Sequence, residues 1–196
     1  MSYAIIGFGA IGQALARAFA RKNIQVTVAA RRAPEAIAPQ GQAIGPTVTA
    51  SSLQDALKAQ TVILAIPFSA IVGLASMTNW SGRTVVDATN AINFTDLTPA
   101  DFGGKFSSSL VQETLSGAQV VKAFNTIPAA ILAQSPEENG GRRVVFLSGD
   151  DPDARKAVSA LIDGLGFAPM DLGSLQDGAP QQCFHPLWAK NLILKG

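Results

Sequence analysis

Histidine, cysteine and tyrosine each occur once in these 196 residues, as His185, Cys183 and Tyr3. A single cysteine excludes an internal disulfide and any metal site built from several thiolates. With Tyr3 the one tyrosine there can be no Tyr-x-x-x-Lys proton relay, and no Ser-x-x-x-Lys follows the fourth candidate strand. Charge is scarce too: charged residues make up 15%, the formal net charge is +1, and Lys and Arg are nowhere dense. Nucleic acid is therefore not an expected partner. Apolar runs are short and broken by Gly, Asn or Pro, so none approaches the roughly 18 residues of a membrane span. No basic leader precedes the first apolar strand, so the reading expects no signal peptide and a cytoplasmic setting.

What is present is apolar. Hydrophobic residues reach 47%, enough for a chain of this length to bury one substantial core. Short β-rich runs alternate with helical ones. Strands are expected at Tyr3–Ile6, Gln25–Ala29, Thr47–Thr49, Thr61–Ile66, Thr84–Asp87, Gln119–Ala123, Arg143–Ser148 and Phe167–Asp171. Runs such as "TVILAI" and "RTVVDA" are continuously apolar, as parallel strands covered on both faces must be. Between the first two strands, Ile11, Leu15, Ala18 and Phe19 form one stripe, with Arg17, Arg21 and Lys22 gathered where the helix dipole favours cations. "SSLQDAL" places Gln54 three residues after Ser51, a capping-box spacing. "GDDPDARKAVSALIDGLG" opens on acids and Pro152 and closes on Gly, a punctuated helix. Loops are expected at 97–104 and 136–141. The alternation predicts a Rossmann-type, doubly wound α/β sheet, mostly parallel. Residues 1–122 form the nucleotide-binding part, and 123–196 a small C-terminal α/β extension packed on it, with one continuous domain as the alternative.

"YAIIGFGAIGQALARAF" carries Gly7, Gly9 and Gly12 in G-x-G-x-x-G spacing, directly after a strand and opening an amphipathic helix. That context points to a dinucleotide: Gly7 for the turn, Gly9 for close approach of the pyrophosphate, Gly12 for helix–strand packing. The helix start then offers free N–H groups to phosphate. An acid is expected about 20 residues on, where it would hold the ribose hydroxyls and repel a 2′-phosphate. Instead the chain reads "VAARR". Ala29 and Ala30 leave room, and Arg31, with Arg32 beside it, offers a guanidinium for bidentate bonding to that phosphate. The missing carboxylate selects NADP(H) over NAD(H), with Arg31 the principal contact.

Ligands of such sheets lie outside the carboxyl ends of the strands. The other relevant ends carry Ala65, Ile66 and Pro67; Thr89 and Asn90; and Asn125, Thr126, Ile127 and Pro128. Small, apolar and amide groups suit a neutral planar ring, although Asn90 and Asn125 read equally well as turn caps. No catalytic acid–base set is found. His185 is a weak candidate donor, better read as packing or capping near Pro186 and Trp188, and Cys183 as a buried small residue. Carbonyl reduction requires a proton donor, whereas a flavin or deazaflavin ring delocalises the incoming charge. The residues thus favour NADPH-dependent hydride transfer to FAD, FMN or a deazaflavin coenzyme (F-420). Reduction of a small organic substrate, or NADP(H) binding without turnover, remain as alternatives.

The ordered motifs "GFGAIGQALARAF", "VAARR", "VILAIPFSAI", "VVDATN", "VVKAFNTIPA", "VFLSGDDPDARKAVSALIDGLGFAPMDLGSL" and the terminal "PLW" resemble the NADP-dependent, deazaflavin-coenzyme oxidoreductases. They also resemble the cytoplasmic domains of the six-transmembrane epithelial antigen metalloreductases. The resemblance implies an NADPH-binding Rossmann domain, a homodimer and direct hydride exchange with a small-molecule redox acceptor. It implies that Phe8, Ala10 and Ile11 touch the pyrophosphate and Arg31 the 2′-phosphate. The Ile66–Pro67 and Ile127–Pro128 turns would flank the paired rings. Archaeal members often carry histidine where this chain has Asn125, whereas the metalloreductase-like members share the asparagine, which leaves flavin open as acceptor.

Overall fold

Hydrophobic alternation along short strands, each returned by a helix, builds the architecture of a computed structural model that describes residues 1–93, 95–96 and 98–196. Its nucleotide-side elements are β1 (Tyr3–Ile6), α1 (Ala10–Arg21), β2 (Val26–Ala29), α2 (Pro34–Ile44), β3 (Val48–Ala50), α3 (Leu53–Ala56), β4 (Thr61–Leu64) and β5 (Thr84–Asp87). Then follow β6 (Ile92–Asn93), β7 (Thr98–Pro99), α4 (Ser107–Thr114), β8 (Gln119–Ala123), α5 (Ala129–Leu132) and β9 (Glu137–Glu138). The chain closes with β10 (Gly141–Gly149), α6 (Pro152–Gly164), β11 (Ala168–Asp171) and β12 (Ile193–Leu194).

The strands lie in the order β3-β2-β1-β4-β5-β8-β10-β11. The first six are mutually parallel; β10 runs antiparallel to β8, and β11 is parallel to β10. The chain therefore winds outward from β1 to β3 and returns to continue on the other side at β4. That reversal between β1 and β4 is the topological switch point, which opens a crevice at the strand ends. This is the doubly wound Rossmann fold that the alternation of elements predicts. Both sides of position 122 contribute strands to the same sheet, and that position falls within β8, an interior strand.

Strand alternation divides the core in two. Ile5, Ile63, Val86, Val121 and Val145 face one side, where Leu15 and Phe19 of α1 and Val158, Leu161 and Ile162 of α6 cover them. Ala4, Ile6, Val62, Leu64, Val85 and Val120 face the other, beneath Leu57, Ile71, Leu74, Trp80, Val111 and Leu115. The stripe of α1 is used as its spacing predicts: Leu15, Ala18 and Phe19 are buried, and Ile11 packs half-buried against them. In α6 the Asp151 carboxylate accepts from the Ala154 N–H at 2.8 Å, and Pro152 fits the first turn, where no N–H is needed.

Boundaries shift from the sequence expectation by one or two residues, mainly at strand ends. β4 stops at Leu64, because Ala65 and Ile66 already belong to the crevice turn, and β10 extends on both sides of 143–148. The cap of α3 moves by one: Ser52, not Ser51, accepts from the N–H of Asp55, not Gln54, at 3.1 Å. Two expected loops contain strand pairing. Within 136–141, Glu137–Glu138 doubles back on β10, and within 97–104, Thr98–Pro99 pairs with β6; Leu97 of that segment lies outside the described residues. Two-residue pairings are too short for alternation to reveal.

Phe19 is fully buried against both α1 and the sheet. Phe19→Ala is expected to cost about 3–5 kcal/mol, read as a lower midpoint of urea unfolding at unchanged slope.

Candidate functional site

Each glycine of the first turn is required for a different reason. Gly7 has φ +102°, and a Cβ there would sit 2.2 Å from the Ala65 carbonyl oxygen. Its N–H donates to the Ala29 carbonyl at 2.8 Å, so the turn is fastened to the ends of both β4 and β2. A Cβ on Gly12 would meet the Gly7 carbonyl oxygen at 1.9 Å, which sets how closely α1 can approach β1. Gly9 differs: nothing lies within 4 Å of its Cβ position. It caps α1 without a side-chain hydrogen bond, and the first turn holds no acid. The positive end of the dipole thus faces open space over the crevice. Ala10 is exposed and Ile11 half-buried, whereas the Phe8 side chain is 3% exposed and packed into the core. Phe8 could meet a ligand in this position only through its backbone.

Arg31 and Arg32 are both exposed in the bend between β2 and α2. Arg32 Nη2 donates to Gln40 Oε1 at 3.2 Å, while no hydrogen-bond partner holds the Arg31 guanidinium among the described residues. Ala65, Ile66 and Pro67 follow β4, with Pro67 exposed and the other two half-buried. Past β5, Thr89 is buried and Asn90 half-buried; past β8, Asn125, Thr126 and Ile127 are buried and Pro128 exposed. All these residues occupy the carboxyl ends of the adjacent parallel strands β2, β1, β4, β5 and β8.

The two asparagines meet. Asn90 Nδ2 donates to the Asn125 carbonyl at 3.1 Å, and Asn125 Nδ2 donates to Asn90 Oδ1 at 3.2 Å and to the Gln181 carbonyl at 2.7 Å. They therefore clamp two turns and a C-terminal segment, through bonds that span 35 and 56 positions rather than the local bonds of a turn cap.

Beneath this clamp lies a polar row that the sequence reading did not single out. Asp87 and Lys122 are register partners on β5 and β8, and Lys122 Nζ lies 3.0 Å from Asp87 Oδ2, with both side chains at most 1% exposed. Ser148 opposes Lys122 on β10 and accepts a hydrogen bond from Gln181. Gln182 accepts from Ser107 at 3.0 Å. The available signal was one Asp and one Lys, each near the end of an otherwise apolar strand.

His185 is exposed, so it is not the packed residue that its neighbours Pro186 and Trp188 suggest. It lines a cavity of about 90 Å³ together with Ala91, Lys105, Phe106 and Cys183. Cys183 is buried, as expected, and desolvation pushes its thiol above the ordinary value, opposed by the charge of Lys122. Among the described residues no cluster of His, Cys, Asp or Glu could hold a metal, and no helix is long and apolar enough to cross a membrane.

Comparison with known proteins bears on the glycine turn directly. Residues 2–91 match the family described as NADP oxidoreductase, coenzyme F420-dependent. That stretch is 90 of the 196 residues, and over it the chain is similar to the family. A solved structure of a hypothetical protein from Sinorhizobium meliloti is 47% identical, covering 100% of this chain and 96% of the other, with a TM-score of 0.96. A provisionally assigned F420-dependent NADP reductase from an Arthrobacter species is 28% identical over 91% of this chain and 87% of its own, with a TM-score of 0.76. The rat metalloreductase STEAP3 is 29% identical over 176 residues, 87% of this chain; the match spans 33% of that protein's length.

Similarity to that family over residues 2–91 makes NADP(H) the expected cofactor, and the residues fit it. The open Gly9 face and uncapped α1 would receive the pyrophosphate, and the exposed Arg31 and Arg32 would offer the cations that a 2′-phosphate requires. Gly9→Ala is expected to leave the melting temperature unchanged while weakening NADPH binding about tenfold or more, equivalent to a lost charged hydrogen bond. Gly7→Ala, by contrast, should destabilise the fold by about 2 kcal/mol or more. Thermal melts and calorimetric titration of the two variants check the contrast.

Proposed function

We propose that the protein is an NADPH-dependent oxidoreductase that passes hydride directly to a flavin or deazaflavin coenzyme. The observation that carries this reading is the make-up of the crevice. A phosphate turn and two arginines stand at one end. At the other, the turns after β4, β5 and β8 present small, apolar and amide groups, and the charged residues there, Asp87 and Lys122, are buried against each other. When bound, reduced nicotinamide supplies the hydride. The N-terminus of α1 would orient the pyrophosphate, and Ala65, Ile66, Pro67 and Pro128 would wall the rings from water, with Ile127 buried in the core behind Pro128. Such walls raise the effective concentration of two stacked rings without moving a proton. A tricyclic acceptor spreads the incoming charge and takes its proton from water, so it needs no positioned acid.

The F420-dependent naming of the family and of the Arthrobacter structure supports deazaflavin; asparagine at position 125, which the metalloreductase-like members share, leaves flavin open. We take the working unit to be a cytoplasmic homodimer. A second reading, NADPH-dependent reduction of a small organic substrate, is favoured by one observation: exposed His185 lines a cavity shared with Ala91, the neighbour of Asn90.

Mixing the protein with NADPH and FMN, FAD or deazaflavin decides between them. Catalytic bleaching of one acceptor, insensitive to His185→Gln, is the expected outcome; inertness toward all three overturns the proposal, and micromolar NADPH binding would then mark a sensor. Arg31→Ala is expected to lower the NADPH-over-NADH preference about 10- to 150-fold, as loss of one charged hydrogen bond worth roughly 1.5–3 kcal/mol requires. An unchanged ratio of the two dissociation constants would remove Arg31 from the 2′-phosphate.

A further inference from the structure

The Asp87–Lys122 pair is placed in a way that stability alone does not explain. Burying two charges incurs desolvation that their attraction only roughly offsets, and well-packed apolar residues serve a core at least as well. Among the described residues, the side-chain hydrogen bonds that the pair makes beyond itself all go to a single turn. Lys122 Nζ donates to the Thr89 carbonyl at 2.6 Å as well as to Asp87. Asp87 Oδ1 accepts from the Thr89 N–H at 2.9 Å and from its hydroxyl at 2.7 Å. The turn after β5 is thus held from both sides, at the carbonyl by the ammonium and at the amide by the carboxylate. Its next residue, Asn90, is bonded in both directions to Asn125 in the turn after β8. Lys122 belongs to β8 and its partners to β5 and the turn after it, so the ammonium is a cross-strand tie between two walls of the crevice.

We propose that Lys122 is a positioning residue for the ring end of the cofactor: it holds the Thr89–Asn90 turn at a set spacing from the Asn125–Pro128 turn. This rests on the placement of the nicotinamide under the proposed function. The role differs from phosphate binding, because Gly7–Gly12 and Arg31 lie on β1, α1 and the β2 bend, away from these contacts. Loss of the tie should therefore leave the anchor intact and loosen the reactive end.

The test is the double substitution Asp87→Asn/Lys122→Met, which removes both charges together and leaves no isolated buried ion. NADPH anisotropy gives the dissociation constant, the emission of bound NADPH reports the surroundings of the reduced ring, and turnover with FMN at saturating NADPH gives kcat. The variant is expected to bind NADPH within about threefold of wild type, to lose at least half of the emission enhancement, and to fall on the order of 10- to 100-fold in kcat, as loss of near-attack geometry predicts. Wild-type emission and kcat in a folded variant would overturn the assignment, as would a loss confined to NADPH affinity. Should the double variant fail to fold, Thr89→Val decides. It keeps the ion pair and removes the hydroxyl bond, and a smaller drop of emission and kcat in the same pattern supports the role, while none overturns it. Wild-type protein that does not bind NADPH would overturn the nucleotide reading and this assignment together. Binding with unaltered variant emission overturns the assignment alone.

Discussion

Close approach of backbone to backbone at Gly7 is the constraint on which the nucleotide half depends. Its N–H is bonded to the end of β2, its Cα lies against the end of β4, and its carbonyl lies against Gly12 of α1. Three elements distant in sequence are brought to one point because a residue is missing its Cβ. Any side chain there or at Gly12 would push α1 outward and turn the helix start away from the crevice. The open space over Gly9 is the reverse of that crowding: the tight packing beneath holds an unobstructed N-terminus above.

The second organising feature is strand register. A slip of one residue between β5 and β8 would carry Asp87 and Lys122 to opposite faces and leave two buried charges unpaired. The register that makes them partners also aligns Val85 with Val120 and Val86 with Val121, so that each apolar face closes over its own helices. Packing and electrostatics thus specify one alignment. From there the polar row continues through Ser148, Gln181 and Gln182, which fastens the C-terminal segment over the end of the sheet.

The glycine motif, the apolar strands and the capped α6 were legible in the sequence because each rests on local chemistry: a turn needing φ > 0, a run of β-branched residues, a carboxylate before Pro152. The arginine pair falls, as its distance along the chain from Gly12 predicts, in the exposed bend after β2. The Asp87–Lys122 contact was not, because its partners are separated by 35 positions and meet only once β5 and β8 are neighbours. Gln181 and Gln182 were missed likewise; a glutamine near a C-terminus carries no local signature, and its burial is decided by which strands lie below it. His185 shows the opposite error, where apolar neighbours in sequence suggested burial that the fold does not provide.

The reversal of β10 also shapes the crevice. Leu147 lies opposite Ala123 and Gly149 opposite Val121, so the earlier half of β10 runs on past the point where β8 ends, with β9 and β12 alongside it. The row of parallel strand ends is thereby dammed on that flank, whereas toward β3 it meets no such ribbon. The two flanks of the strand ends are therefore unlike: β10 overruns β8 on one side, and β3 is the last strand of the row on the other.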